Sequence, residues 1–329
     1  MVKKLALVLS IALMATALFT SSGFASTTIK IGHVLNTDHS WHRNLTGFAN
    51  EVKKETDGRV VIQLYPSGQL GNEKDMVEGL TFGTVDGGLI GGGSFQSIDP
   101  KFGIEALPYA WPTHEAAYKA FDGKLGKYLF DLLGQKGIVG LAWWENGFRH
   151  ITNNKKPIVK PEDLKGLKIR TMENPMHIAF FKELGANPTP MSWGELYTAL
   201  QQGTVDAEEN PYAMIDDGKF YEVQKYVSET GHVFSYEILI ANKKFMDKLP
   251  ADLRKVVVDA AHKAIMTQRA SLEKEEAAFK AKVTKAGLTA NELTPEQKKP
   301  FVDATKKVYA QFENELGKEI MDIARKVQK

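Results

Sequence analysis

The chain has 329 residues, 43% of them hydrophobic, 25% charged and 10% aromatic, a composition that can bury a full core and is unlike that of a disordered or fibrous protein. Its 42 Lys and Arg against 40 Asp and Glu become 40 against 40 once Lys3 and Lys4, in a segment expected to be removed, are set aside, so bulk charge offers no hold on a nucleic acid or a membrane surface. The absence of cysteine excludes a disulfide scaffold, a Cys-ligated zinc or iron–sulfur site, a cysteine nucleophile and a lipidated cysteine at the export site.

Residues 1–25 read as a secretory signal, with Lys3 and Lys4 as the basic start, an apolar run over residues 5–19, and Gly23 and Ala25 as small residues near the cleavage point. The run is shorter than the roughly 20 residues of a bilayer span. The mature chain therefore begins near Ser26 and diffuses freely in a Gram-negative periplasm. From there, strand-like runs at residues 28–32 and 59–65 flank an amphipathic stretch at 44–56, an α/β rhythm. Asn72 to Asp75 forms a capping arrangement for a helix that stops at Gly83, before a strand over residues 85–90. The unit recurs: Ser192 to Glu195 is a capping box, and Gly203-Thr204-Val205-Asp206 repeats Gly83-Thr84-Val85-Asp86. Two similarly built α/β lobes are expected, with a Pro/Lys-rich loop at 155–161, a strand at 167–170 and another at 234–241. An unbroken amphipathic stretch from Ala251 to about Ala286 predicts a helix roughly 50 Å long, enough to cross the back of both lobes, and Thr294, Pro295 and Gln297 start the last helix.

His39 and His42 stand three apart, but no third metal ligand is signalled nearby, which favours solvent-exposed or hydrogen-bonding histidines at a loop-to-helix junction. The run Gly91-Gly92-Gly93-Ser94 lacks the lysine of a phosphate loop and reads as backbone passing close to something. No serine elbow is present, and the adjacent Glu208 and Glu209 do not face one another, which makes them a poor acid/base pair. Enzyme chemistry is not signalled. Arg149, near the first crossing between lobes, and Arg170, at the end of an apolar strand, fall where ligands sit in open α/β sheets. A guanidinium there suits a carboxylate; the alternative for each arginine alone is a surface ion pair. Asn210, just after the strand at 204–206, offers an amide to carboxylate or hydroxyl, and Trp193 either walls a site at a helix start or packs in the core. Of the clustered aromatics Trp143, Trp144, Phe148, Phe234 and Tyr236, most are expected in the core and some around a pocket.

Several long stretches then carry a resemblance. Leu64-Tyr65-Pro66-Ser67-Gly68-Gln69-Leu70-Gly71, Ala106-Leu107-Pro108-Tyr109, Gly147-Phe148-Arg149-His150-Ile151-Thr152, the run from Asp163 to Arg170, that from Leu184 to Met191, and that from Ala199 to Asp206 continuing to Glu209-Asn210-Pro211 together resemble DctP-type solute-binding proteins of tripartite ATP-independent periplasmic (TRAP) transporters. The resemblance implies a two-lobed periplasmic binding protein fold with hinge strands and a long helix spanning both lobes. The first lobe takes residues 26–146 plus 236–275, the second 147–235 plus 276–329, and the ligand cleft lies between them. By position, Arg170 matches the arginine that pairs with the ligand carboxylate, Arg149 a second cleft arginine, Asn210 an asparagine near the same group, and Trp193 an aromatic wall. Asn72, Glu73 and the loop from His33 to His42 would supply specificity, with Glu173, Asn146 and Tyr236 also placed at the ligand and the hinge near Asn146 and Tyr236. The lack of an acid in residues 91–94 departs from sialic-acid binders. The resulting expectation is a monomeric protein without cofactor or metal that delivers an organic acid to TRAP membrane subunits. A uronate or aldonate comes first, then a C4-dicarboxylate or 2-oxo acid. A periplasmic enzyme on sugar acids using His33, His39 or His42 as base, and a ligand sensor, stand as alternatives.

Overall fold

A computed structural model describes residues 26–327; the expected export signal lies outside the described residues. In chain order the first part comprises β1 (Thr27–Gly32), α1 (Ser40–Glu55), β2 (Val60–Tyr65), α2 (Glu73–Phe82), β3 (Gly87–Gly91), two 3-10 segments (Gly92–Ser97 and Pro100–Ala106), α3 (His114–Phe121), α4 (Lys124–Gln135) and β4 (Ile138–Phe148). Then follow β5 (His150–Asn153), β6 (Lys168–Thr171), α5 (Pro175–Glu183), β7 (Asn187–Pro190), α6 (Trp193–Gln201), β8 (Ala207–Asn210), α7 (Tyr212–Asp217) and β9 (Tyr226–Glu229). The chain closes with β10 (Phe234–Asn242), α8 (Lys243–Lys248), α9 (Ala251–Lys285), β11 (Thr289–Glu292), α10 (Pro295–Leu316) and α11 (Lys318–Val327). No helix among the described residues is long and apolar enough to cross a membrane.

Two mixed sheets result, ordered β2-β1-β3-β10-β4 and β11-β9-β5-β8-β6-β7, and they give the two-lobed α/β architecture. The central position of β10 follows from its sequence: every residue from Phe234 to Asn242 is buried, as suits a strand covered on both faces.

The repeated motif is one structural device used twice. Asn72 Oδ1 accepts the Asp75 amide at 3.0 Å while the Asp75 carboxylate accepts the Asn72 amide at 2.9 Å, which fixes the start of α2; Glu195 closes the same box on Ser192 N at 3.1 Å for α6. Gly83 and Gly203 both carry left-handed φ, 81° and 69°, a turn that glycine makes without a Cβ penalty. The aspartates that follow each latch the neighbouring parallel strand: Asp86 accepts from Lys30 N at 3.1 Å, and Asp206 from Lys168 N at 3.2 Å.

The 35-residue α9, roughly 50 Å long, packs on α1 and β4 at one end and on α7 at the other, where Lys282 pairs with Asp216 at 2.7 Å. Midway, Gln268 brackets the Glu145 backbone, accepting from its N–H at 2.9 Å and donating to its carbonyl at 2.8 Å. Helix α10 packs on α5 and on the Pro100–Ala106 segment, with Tyr309 donating to the Pro108 carbonyl at 3.0 Å.

The chain passes between the sheets three times, once along α9, which leads from β10 to β11, and twice through short crossings. Only Arg149 separates β4 from β5, and residues 230–233 separate β9 from β10. These crossings are tied together: Arg149 N donates to Val233 O at 2.8 Å, and His232 N to Arg149 O at 3.3 Å.

Candidate functional site

A cavity of about 240 Å³ opens where the two sheets face each other. One wall is Asn72, Glu73 and Lys74 at the start of α2, with Ser94, Gln96 and Ser97 after β3; the other is Arg170, Met172, Glu173, Pro175, Met191, Ser192 and Trp193. The glycines before Ser94 let backbone approach side chains closely. A Cβ on Gly92 would lie 2.8 Å from Glu105 Oε2, and one on Gly93 would lie 2.6 Å from Asn174 Nδ2. Asn174 caps α5 through Met176 N at 2.9 Å and reaches across the cleft to Gly93 O at 3.4 Å.

Arg170 is the dominant feature of this cavity. It is 3% exposed, and its Nε donates to Met191 O at 3.0 Å. Neither of its other guanidinium nitrogens has a hydrogen-bond or ion-pair partner among the described residues. Burial, and next the Glu209 charge acting in the opposite sense, leave its pKa down at about 10, the mark of a cation taken out of water without a counter-ion. A buried cation so placed is a receptor for an anion.

Arg149 is buried too, but it is engaged. Its Nε meets Glu209 Oε2 at 2.5 Å, and Nη2 meets Glu209 Oε1 and Asn210 Oδ1, both at 2.9 Å. Nη1 has no hydrogen-bond partner among the described residues. Glu209 also receives His232 Nε2 at 3.1 Å and lies 3.4 Å from His177 Nδ1. Burial alone would raise its pKa, but Arg149 and His177 hold it well below the usual carboxylate range. Its neighbour Glu208 points the other way along β8, to Thr152 Oγ1 and Asn210 Nδ2, both at 2.6 Å, and burial lifts it to about 7. The two acids do face apart, as adjacent strand residues must.

Of the residues singled out in the sequence, the cavity gathers Arg170, Trp193, Glu73 and Glu173. Glu73 spends its carboxylate on Gly91 N and Ser94 Oγ, each at 2.9 Å, while Trp193 is half-buried beside Phe220, 5.3 Å between ring centres. Arg149 and Asn210 do not line the cavity; they are joined to each other, Arg149 also to Glu209 and Asn210 to Glu208. Asn146 donates to Met214 Sδ at 3.2 Å. His33 is fully buried, 3.0 Å from His42 Nδ1, and burial, with His42 adding, pulls it down to about 4. His39 caps α1 by accepting Trp41 N at 3.2 Å. Tyr236 packs against Phe121, 4.5 Å between centres, among core aromatics.

The sequence reading missed Glu105, Asn174 and Glu237. An asparagine before a proline at a helix start was a usable signal for Asn174, and an acid inside the apolar run Phe234–Asn242 was one for Glu237. Glu105 lies in a segment with no periodic pattern.

A family model described as DctP, bacterial extracellular solute-binding protein, family 7, matches residues 31–315. The chain is 35% identical over 288 residues to the 2,3-diketo-L-gulonate-binding periplasmic protein YiaO of Escherichia coli, covering 88% of this chain and 87% of that protein. A TRAP periplasmic solute binding protein from Polaromonas sp. JS666, bound to D-erythronate, matches at 40% identity with a TM-score of 0.88, covering 92% of this chain and 98% of that one. Another from Sulfurospirillum deleyianum, with bound succinate, matches at 33% identity and a TM-score of 0.87, covering 92% and 99%.

Proposed function

The chain belongs to family 7 of the bacterial extracellular solute-binding proteins, and from that premise we propose that it captures a small organic acid in the cavity at Arg170, carboxylate first, for delivery to TRAP membrane subunits. The observation that carries this reading is the buried Arg170 guanidinium, which lines the cavity with two nitrogens that have no partner among the described residues. Arg149 Nη1, without a hydrogen-bond partner among the described residues, is the second donor this reading assigns to the ligand, while the Asn210 amide is shared between Arg149 and Glu208. The act is capture and release, not turnover. Residues 1–25 serve as the export signal, and the work is done in the periplasm, where YiaO is placed by its name. The lobes close by bending at Arg149 and residues 230–233, and closure is favoured only by contacts better made when closed.

Sugar acids are the first class of ligand, in keeping with the erythronate and 2,3-diketo-L-gulonate of two relatives. A C4-dicarboxylate is the second reading, favoured by Lys74, which lines the opposite wall with no ion pair among the described residues. Calorimetric titration of refolded, ligand-free protein with an aldonate and with its neutral lactone tests the role of the carboxylate. The acid should bind and the lactone should not; equal binding of both would refute an arginine-held carboxylate.

A further inference from the structure

Glu237 is a buried acid in the first sheet whose carboxyl has no partner among the described residues. It lies on β10 in register with Gly91 of β3. Gly91 in turn meets two residues that line the cavity: its amide goes to Glu73, and a Cβ there would meet Met172 Cε at 3.1 Å. Glu237 is 2% exposed, its Oε2 is enclosed without a partner, and its carboxyl makes no hydrogen bond or ion pair among the described residues. An enclosed polar group left unmet is costly to the folded state. Two more enclosed atoms without partners stand at the same sheet edge, His33 Nδ1 just past β1 and Asn146 Oδ1 near the end of β4. In the sheet order β1-β3-β10-β4, these residues form a row of unmet polar groups along the edge that faces the second lobe.

Burial, reinforced by the nearby charges of Glu73 and Glu105, pushes Glu237 well above the usual carboxylate range. A protonated carboxyl can both donate and accept, as a hydroxyl can. A second carboxylate of a ligand would instead meet the negative field of Glu73.

We propose that Glu237 is a specificity-determining residue that reads a hydroxyl of the ligand whose carboxylate Arg170 holds, which makes the preferred ligand a polyhydroxylated monocarboxylate rather than a dicarboxylate. This rests on the carboxylate reading of Arg170 and adds the other end of the ligand to it.

The test is calorimetric titration of ligand-free protein with erythronate, gluconate, butyrate and succinate, on wild type, Glu237→Leu, Glu237→Gln and Arg170→Met. Wild type binds at least one of the two hydroxy acids about tenfold or more tighter than butyrate and succinate. Glu237→Leu loses that advantage while its ligand-free melting temperature stays level or rises, which a merely structural carboxyl would not allow. Glu237→Gln, which keeps a donor and an acceptor, stays within about threefold of wild type. Hydroxy-acid binding undiminished in Glu237→Leu overturns the proposal, as does tighter binding of succinate by wild type. Should Glu237→Leu fail to fold, the wild-type preference over butyrate and the Glu237→Gln affinity decide. If Arg170→Met loses every acid and the Glu237 variants lose none, only this proposal falls; if Arg170→Met binds as wild type does, the carboxylate reading falls as well.

Discussion

Replacing Arg170 by methionine should move stability and binding in opposite directions. The methionine fills a similar volume and removes a guanidinium that is 3% exposed and, among the described residues, unpaired at two nitrogens. Its pKa of about 10 reflects that burial net of the opposing Glu209 charge: at about 1.4 kcal/mol for each tenfold change in proton affinity, the displacement corresponds to about 3 kcal/mol. Losing the hydrogen bond from Nε to Met191 O gives back about 1 kcal/mol, so the ligand-free variant should be more stable by about 2 kcal/mol. The ligand, in contrast, would bring its carboxylate into a desolvated wall with no cation to meet it, at a cost of about 3–5 kcal/mol, or about two to nearly four decades in Kd. Urea unfolding of ligand-free protein and calorimetric titration with the best-bound acid read the two effects separately. A variant that is destabilised by more than 1 kcal/mol, about the value of that one hydrogen bond, would mean that the guanidinium is satisfied within the protein. The same substitution with unchanged affinity would mean that the carboxylate sits elsewhere.

Glu209→Gln leaves Arg149 buried beside a neutral amide and should cost about 3–5 kcal/mol in urea unfolding; a loss below 1 kcal/mol would show that the ion pair is replaceable. Stability should also depend on pH in a way set by Glu105. Burial lifts this acid to about 8, so between its unfolded value of about 4.3 and about 8 the folded state holds a proton that the unfolded chain has released. Stability then falls as pH rises, by about 1.4 kcal/mol per pH unit while this group alone is titrating. Glu208 and Asp217, both lifted to about 7 by burial, add to the fall below that pH. His33 at about 4 and His39 and His150 at about 3, all lowered by burial, act in the opposite sense, since the unfolded histidines take up protons below about 6.5 and stability is lost as pH drops. Between pH 7 and 8 the decline is shared by Glu105 and Glu237, both raised by burial, and Glu105→Gln should reduce it; an unaltered slope would refute the assignment.

The parts of the molecule that could be read from sequence are those fixed by neighbours in the chain. The boxes at Asn72, Ser192 and Thr294 each join residues three apart, and the long helix declares itself by an uninterrupted pattern. The shared Gly-Thr-Val-Asp exits did mark equivalent strands of two lobes. Arg170 was legible because it ends an apolar strand. What closes over Arg149 was not, because its partner Glu209 lies 60 residues away and meets it only through the antiparallel register of His150 with Asn210. Tyr236 and Glu237 show the same limit within one strand. Alternation tells that they face opposite ways, but only the packing sends the tyrosine into the aromatic core and leaves the acid beside the cleft.

The place of β10 in the first sheet has a consequence for the order of assembly. It fills the gap between β3 and β4, although some eighty residues of the other lobe are synthesised before it. Until residues 234–242 emerge, the first sheet is two fragments with unpaired edges, and the second still lacks β11. Contacts so distant in sequence slow folding, so neither half can set early on a growing chain. Glu237 arrives on the strand that joins the fragments, and only a complete chain acquires both ends of the binding cleft.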